Sequence, residues 1–503
     1  MAIEPIYNTI NLSLSAGEVL DQIKLECKTE IPSSEVSSVL NVSAFTIVTD
    51  TEKLDGKVKY NGKIIFYACY LDLDGEIKKC ECGSEFSGTL PSEKIDANSQ
   101  VEVLTTVEKV ESQTSGIKLS FTAILQVKAK ISQKKEVLAL TDGEELILDK
   151  KEQPLTKGFG VKESAYFIED EFELGYTVEQ VLSHRATAVI TSVQCGVGSI
   201  IVDGQVFLSV IALQKTEKKD IIRENKTLPF RMEIEYEDAM PSMLATAFVK
   251  EKSFKTDISV DQEKGVSTVS ASVNLIFWGE AYSNDYITIV DDAFCTQKEI
   301  SLVKEDLSFD KALDLVNCSN KISGKANLLE LPNGASILAL GSEKAEVVSV
   351  DGDNGVLKIT GVLTAVGYFK DGDGKCFTRK LETPFEALTD CPTNSGCSYE
   401  VLAVAENGSA QISSNTEIEL ETELFFTIYP KQKSSIRCIK EVVTVGEKQC
   451  KDCAISVYLA LEGEDLWSLS KRLNQSPEML VATNKDLNFP LTGKERIIVY
   501  RQK

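Results

Sequence analysis

A mainly β chain is predicted, three tandem β-rich domains followed by a small α+β module of βααβ order, and three observations carry that prediction. A strand-like run with a central glycine occurs three times in the 503 residues. Each copy is followed by a stretch in which apolar and polar residues alternate. Only the carboxyl-terminal stretch changes to helical spacing.

The repeated run is Lys57 to Tyr67, then Ser199 to Ser209, then Val356 to Val366, with Gly62, Gly204 and Gly361 inside. All three are rich in β-branched and aromatic residues, the composition of strands. Glycine within a strand marks a bulge or a close approach of another chain segment. The flanks repeat as well. Val39-Leu40, Val181-Leu182 and Ile337-Leu338 precede the glycines, and Phe86, Pro229-Phe230 and Pro384-Phe385 follow them.

Further along come Ile117, Leu119, Phe121, Ala123, Leu125 and Val127. Their counterparts are Val269, Ala271, Val273, Leu275 and Phe277, then Ile418, Leu420, Leu424, Phe426 and Ile428. A period of two puts one face on a core and the other in water, as in an antiparallel sheet. Asp74-Gly75 and Asp371-Gly372-Asp373-Gly374 read as turns between strands. Short helices are expected at Ala16–Leu25 and Val178–Leu182. Residues 1–150, 151–310 and 311–449 are the predicted repeats, each with its own core, and 455–503 the module. The charged segments Gly143–Pro154 and Glu305–Lys311 are read as junctions.

In the module, Ile455, Val457 and Leu459 alternate as a first strand. Glu464 and Asp465 stand at a helix start, where carboxylates meet free backbone N–H groups. Leu466, Leu469 and Leu473 make the buried stripe of a first helix. Ser476-Pro477 reads as the N-cap and first residue of a second, which runs to Asn484. Ile497 and Val499 form the closing strand. Trp467 lies about 100° off the leucine stripe, which marks it as a contact residue or a half-covered one.

Composition narrows function. The chain has 54 basic and 77 acidic residues, a net charge of −23. That balance repels phosphate backbones and anionic lipid surfaces. The start has no basic segment followed by an apolar run, and no window reaches the ~18 apolar residues of a membrane helix. Thirteen scattered cysteines without an export signal predict reduced thiols in a cytosol.

No catalytic, metal or cofactor site is predicted. His184, the one histidine, sits in Ser183-His184-Arg185-Ala186, where nothing has nucleophile-elbow spacing, and reads as structural. Cys450-Lys451-Asp452-Cys453 is a single C-x-x-C, where a structural zinc needs four ligands. The turns starting at Asp351 and Asp371 lack the glycine that a calcium loop requires at its sixth position. Asp291-Asp292 reads as solvated charge.

The order of three glycine-centred repeats, a downstream Pro-Phe and a terminal Gly463-Glu464-Asp465-Leu466-Trp467 segment resembles the SPOCS-domain proteins of spore-forming Firmicutes, which end in a LysM domain. The first repeat departs from the pattern, with Glu85-Phe86 in place of Pro-Phe. The resemblance implies a non-enzymatic scaffold of spore coat assembly, working in the mother-cell cytoplasm at the forespore surface. It implies that the LysM end docks on a stage IV sporulation protein A-like morphogenetic ATPase while the repeats recruit other coat proteins. It also implies a groove between the loops Gly463, Glu464, Asp465, Leu466 with Trp467 and Asn488, Phe489, Pro490. LysM relatives hold peptidoglycan or N-acetylglucosamine polymers there. The paired acids of this groove favour a basic protein surface, and a cell-wall or cortex glycan is the alternative.

Overall fold

In a computed structural model of the chain, strands hold 78% of the residues and helices 3%, which makes the protein mainly β. The structure describes residues 3–31, 35–216, 219–392, 396–448 and 455–500, without the side chains of 11–16 and 134. Cys450 and Cys453 of the C-x-x-C lie outside the described residues.

The first unit comprises β1 (Glu4–Glu30), β2 (Val36–Leu54), β3 (Lys57–Asp72), β4 (Ile77–Pro91), β5 (Ser99–Ser115) and β6 (Lys118–Glu144). They form two antiparallel sheets, β2-β3-β4 and β1-β6-β5. The second unit repeats this with β7 (Ile147–Leu174), β8 (Val178–Cys195), β9 (Ser199–Gln214), β10 (Ile221–Glu235), β11 (Leu244–Asp261) and β12 (Val266–Phe294). Its sheets are β8-β9-β10 and β7-β12-β11. In the third the long first strand is split into β13 (Lys298–Ala312) and β14 (Val316–Asn327). There follow β15 (Ser336–Asp353), β16 (Val356–Lys370), β17 (Cys376–Asp390), β18 (Cys397–Ser414) and β19 (Glu417–Glu447).

The repeated glycines explain themselves in the meander sheets. Gly62 pairs with Phe86, Gly204 with Phe230 and Gly361 with Phe385 on the neighbouring strand. A Cβ on Gly204 would stand 2.3 Å from the Phe230 ring and 2.3 Å from the Val189 carbonyl oxygen. The phenylalanine therefore lies over the backbone, where no side chain fits. The alternating runs supply the facing sheet. Phe121 stacks on Phe66 at 5.4 Å, and Phe277 meets Phe230 edge-on at 5.3 Å. Leu119 to Val127 and Val269 to Phe277 are buried at every second position.

Each unit thus has its own core, and the units also share cores, which the sequence reading did not anticipate. At one junction Leu40, Leu182 and Ala339 meet Cys69, Ile211 and Tyr368, one of each set per unit. Polar links close the ring: Asn41 Nδ2 donates to the Tyr368 hydroxyl at 3.0 Å, Lys370 Nζ to Asp220 at 2.9 Å, and Lys219 to Glu76. At the other junction β6, β12 and β19 run on beyond their third partners as two-stranded ribbons. Their ends bring together Val137, Ile289, Ile436 and Cys438. A buried ion network, Arg185 with Glu406 and Arg223 with Glu343, fastens the second unit to the third.

Three expectations are corrected. Ala16–Leu25 and Val178–Leu182 are strand, because the ladders to β6 and β9 outweigh local propensity. Of the charged segments read as junctions, Gly143–Pro154 does hold the Glu145-Leu146 connection between β6 and β7, whereas Glu305–Lys311 lies within β13, where Asp306 pairs with Arg437. The second and third units accordingly begin at 147 and 298, since a two-stranded ribbon tolerates polar residues on its open face. Cys27 and Cys82, expected as thiols, form a disulfide between the two sheets of the first unit, with Cα atoms 6.4 Å apart. Among the described residues no helix is long and apolar enough to cross a membrane.

Candidate functional site

The carboxyl-terminal module runs β20 (Ile455–Leu459), α1 (Leu466–Leu473), α2 (Pro477–Thr483) and β21 (Arg496–Tyr500). Leu469, Leu473, Leu480, Leu491, Ile497 and Val499 fill its core. Asp465 caps α1, its carboxylate accepting the Ser468 N–H at 2.6 Å, and Ser476 caps α2. The first strand sits otherwise than its alternation implied. Tyr458 and Ala460 face the core, whereas Ile455, Val457 and Leu459 are exposed.

The two predicted loops do meet. Gly463, at φ +79°, donates its N–H to the Leu491 carbonyl at 2.8 Å, and Leu491 N–H returns to Glu464 O at 2.9 Å. Asn488 and Pro490 are exposed beside them, while Leu466 and Phe489 pack against the core.

The two acids, however, are occupied. Glu464 is buried and accepts from Arg472 at 2.6 and 2.7 Å and from the Leu461 N–H at 3.1 Å. The Arg472 guanidinium holds its carboxyl below the usual range. Asp465 is lowered by the Ser468 N–H that it caps. Glu464 is thus closed by an internal ion pair, whereas Asp465 caps the helix and stays exposed.

Trp467 is engaged as well, and by the body of the protein. Its indole N–H donates to Asp292 at 3.0 Å, and its ring meets Phe294 edge-on at 5.3 Å. Lys471 Nζ reaches the same carboxylate at 2.7 Å, and Lys304 stands 3.7 Å from it. Burial pushes the Asp292 carboxyl up, but Lys471 and the Trp467 N–H overcome that and leave it below the usual range. Asn474 donates to the Thr296 carbonyl and accepts from Lys448 at 2.7 Å. Asp292 is therefore a structural anchor and not the solvated charge expected. Lys471 and Asn474 escaped the sequence reading. Their signal was present as the i, i+4, i+7 row that they form with Trp467.

A second concavity, of about 850 Å³, opens where the three units converge. Its walls carry Glu102, Lys130, Trp278, Glu280, Tyr282 and Lys431. Lys130 is bound to Glu400 at 2.6 Å, and Trp278 Nε1 donates to Glu163 at 3.0 Å. Burial, with Glu400, Glu280 and Glu163 nearby, raises the Glu102 carboxyl against the pull of Lys130. Lys130, Glu280 and Tyr429 stand at the same spacing before the ribbon residues Val137, Ile287 and Ile436. Equivalent positions of the three units have thus diverged at the cleft and stayed apolar at the ribbon junction.

His184 lies on β8 with Nδ1 2.7 Å from the Thr256 hydroxyl, its ring against Tyr67 and Phe254. Burial pulls its pKa down to about 4, so it is neutral at physiological pH. Burial also lifts the Cys69 thiol to about 12. Among the described residues no group of three or more His, Cys, Asp or Glu side chains is placed to hold a metal ion. The chain matches no protein-family model, no curated protein and no solved structure.

Proposed function

We propose that this chain is a non-enzymatic scaffold of spore coat assembly, acting at the forespore surface in the mother-cell cytoplasm. Its carboxyl-terminal, LysM-like module docks on a stage IV sporulation protein A-like morphogenetic ATPase, and its three-unit body recruits other coat proteins. The observation that supports this is the division of the molecule. A multi-sided body held by shared cores carries one small, separately packed module whose loop pair faces outward. Such an arrangement holds partners close together and raises their local concentration. The order of SPOCS-like repeats before a LysM-like end supports the same reading.

The test is capture of the ATPase by the full chain and by a chain ending at Lys448. Capture by both, or by neither, overturns the docking role of the module. A tagged copy should also form a ring around the developing spore.

One observation favours the second reading, a peptidoglycan or N-acetylglucosamine binder. With Glu464 closed by Arg472, the groove carries one unpaired carboxylate fewer than its sequence suggests. Binding of the full chain to purified peptidoglycan at both low and high salt would support that reading. Absence of binding under both conditions retires it.

A further inference from the structure

Helix α1 has two faces. Leu469 and Leu473 point into the module, and Trp467, Lys471 and Asn474 lie against the end of β12. The segment lying there is Asp292-Ala293-Phe294, the end of β12, with Asp292 and Phe294 addressing the helix, followed by Cys295 and the bend at Thr296. Asp292 accepts from the indole at 3.0 Å and from Lys471 at 2.7 Å, Phe294 meets the Trp467 ring, and the Thr296 carbonyl takes the Asn474 amide. The contact is side-chain recognition of a short strand: a carboxylate, a spacer, then an aromatic ring.

We infer that this face of α1 is a docking surface for an extended acidic–aromatic segment of a partner protein, with Asp292–Thr296 as its resident occupant. An outside segment of the same chemistry then binds only by displacing the resident one. This rests on the reading of the module as the docking end, and it changes the partner expected there. The positive charge of this face is Lys471, which the resident Asp292 now pairs, so the partner supplies the carboxylate. Trp467 supplies a ring edge and an N–H, which an aromatic side chain and a carboxylate satisfy together.

Full-length protein is compared with the full-length Asp292→Asn/Phe294→Ala variant. The probe is a synthetic octapeptide of residues 289–296 with serine in place of its cysteine, titrated by calorimetry. Because the wild-type face is already occupied, its apparent affinity should be at least about tenfold weaker than that of the variant. A peptide with asparagine at the Asp292 position should not bind. Equal affinities, or no binding to the variant, overturn the proposal. Hydrogen exchange across 466–474, measured without peptide, should rise about tenfold in the variant if its latch opens. An unchanged rate shows that the body does not cover the face, and sinks the proposal by itself. If exchange rises and the peptide still fails to bind, the surface is not a docking site, although ATPase capture through the loop pair would stand.

Discussion

The three units are joined to one another differently from the way the module is joined to them. Between units the joints have apolar centres, beside their polar links and one buried ion network: Ile211, Leu213 and Tyr368 are each at most 4% exposed, and each is surrounded by side chains of the other units. Between β12 and α1 the joint is one carboxylate, one edge-on ring pair and an amide. An apolar joint has no half-open state of low energy, because separating it exposes the core of every unit to water at once. A polar joint does, since water replaces each of its hydrogen bonds at small net cost. The comparison teaches which part of the molecule is one object and which part is removable.

The most severe way to break the body is at its centre. Leu213→Ala should cost about 2–5 kcal/mol, and denaturant unfolding should show all three units failing in one earlier transition. Loss confined to the second unit would show that the junction is not shared. Leu469→Ala removes a buried leucine from the module alone, on the same scale of about 2–5 kcal/mol. Here hydrogen exchange should rise over 466–483 and leave β3, β9 and β16 unchanged.

Gly204→Ala should cost about 1–3 kcal/mol, because its Cβ meets a ring and a carbonyl. Adding Phe230→Ala removes the ring and leaves the Val189 carbonyl 2.3 Å away. The double variant should therefore not recover wild-type stability, as read from its thermal midpoint.

The smallest effect is that of acid on the module joint. Asp292 is held below its ordinary pKa, so its contribution is fully present above the unfolded carboxylate range. It disappears as pH falls through the lowered folded value, when Asp292 gains a proton and its pairing with Lys471 and Lys304 ends. Protection over 466–474, corrected for the slowing of intrinsic exchange in acid, should fall before any change in the body. Asp292→Asn should abolish that pH dependence.

Much of the fold was legible because its cause is local. Gly62, Gly204 and Gly361 recur because a phenylalanine ring covers each of them, and that constraint prints both residues in the sequence at similar spacing. The period-two runs print a buried face in the same way. The cap residues Asp465 and Ser476 could be read for the same reason: their bonds close within three residues. The candidate site was legible only as far as its loops. That Glu464 belongs to Arg472, and Trp467 to Asp292, follows from placement that no spacing encodes.

The sequence by itself determined the strand content, the triplication and the helical pair, since each depends on neighbours a few residues apart or on one facing strand. Only the tertiary structure decided that three units share two cores, that Cys27 faces Cys82, and that the outer face of α1 is covered. Those are contacts between segments from 55 to more than 300 residues apart. Burial there is settled by how whole sheets pack, and one apolar or charged side chain looks the same in the sequence whichever neighbour it finds.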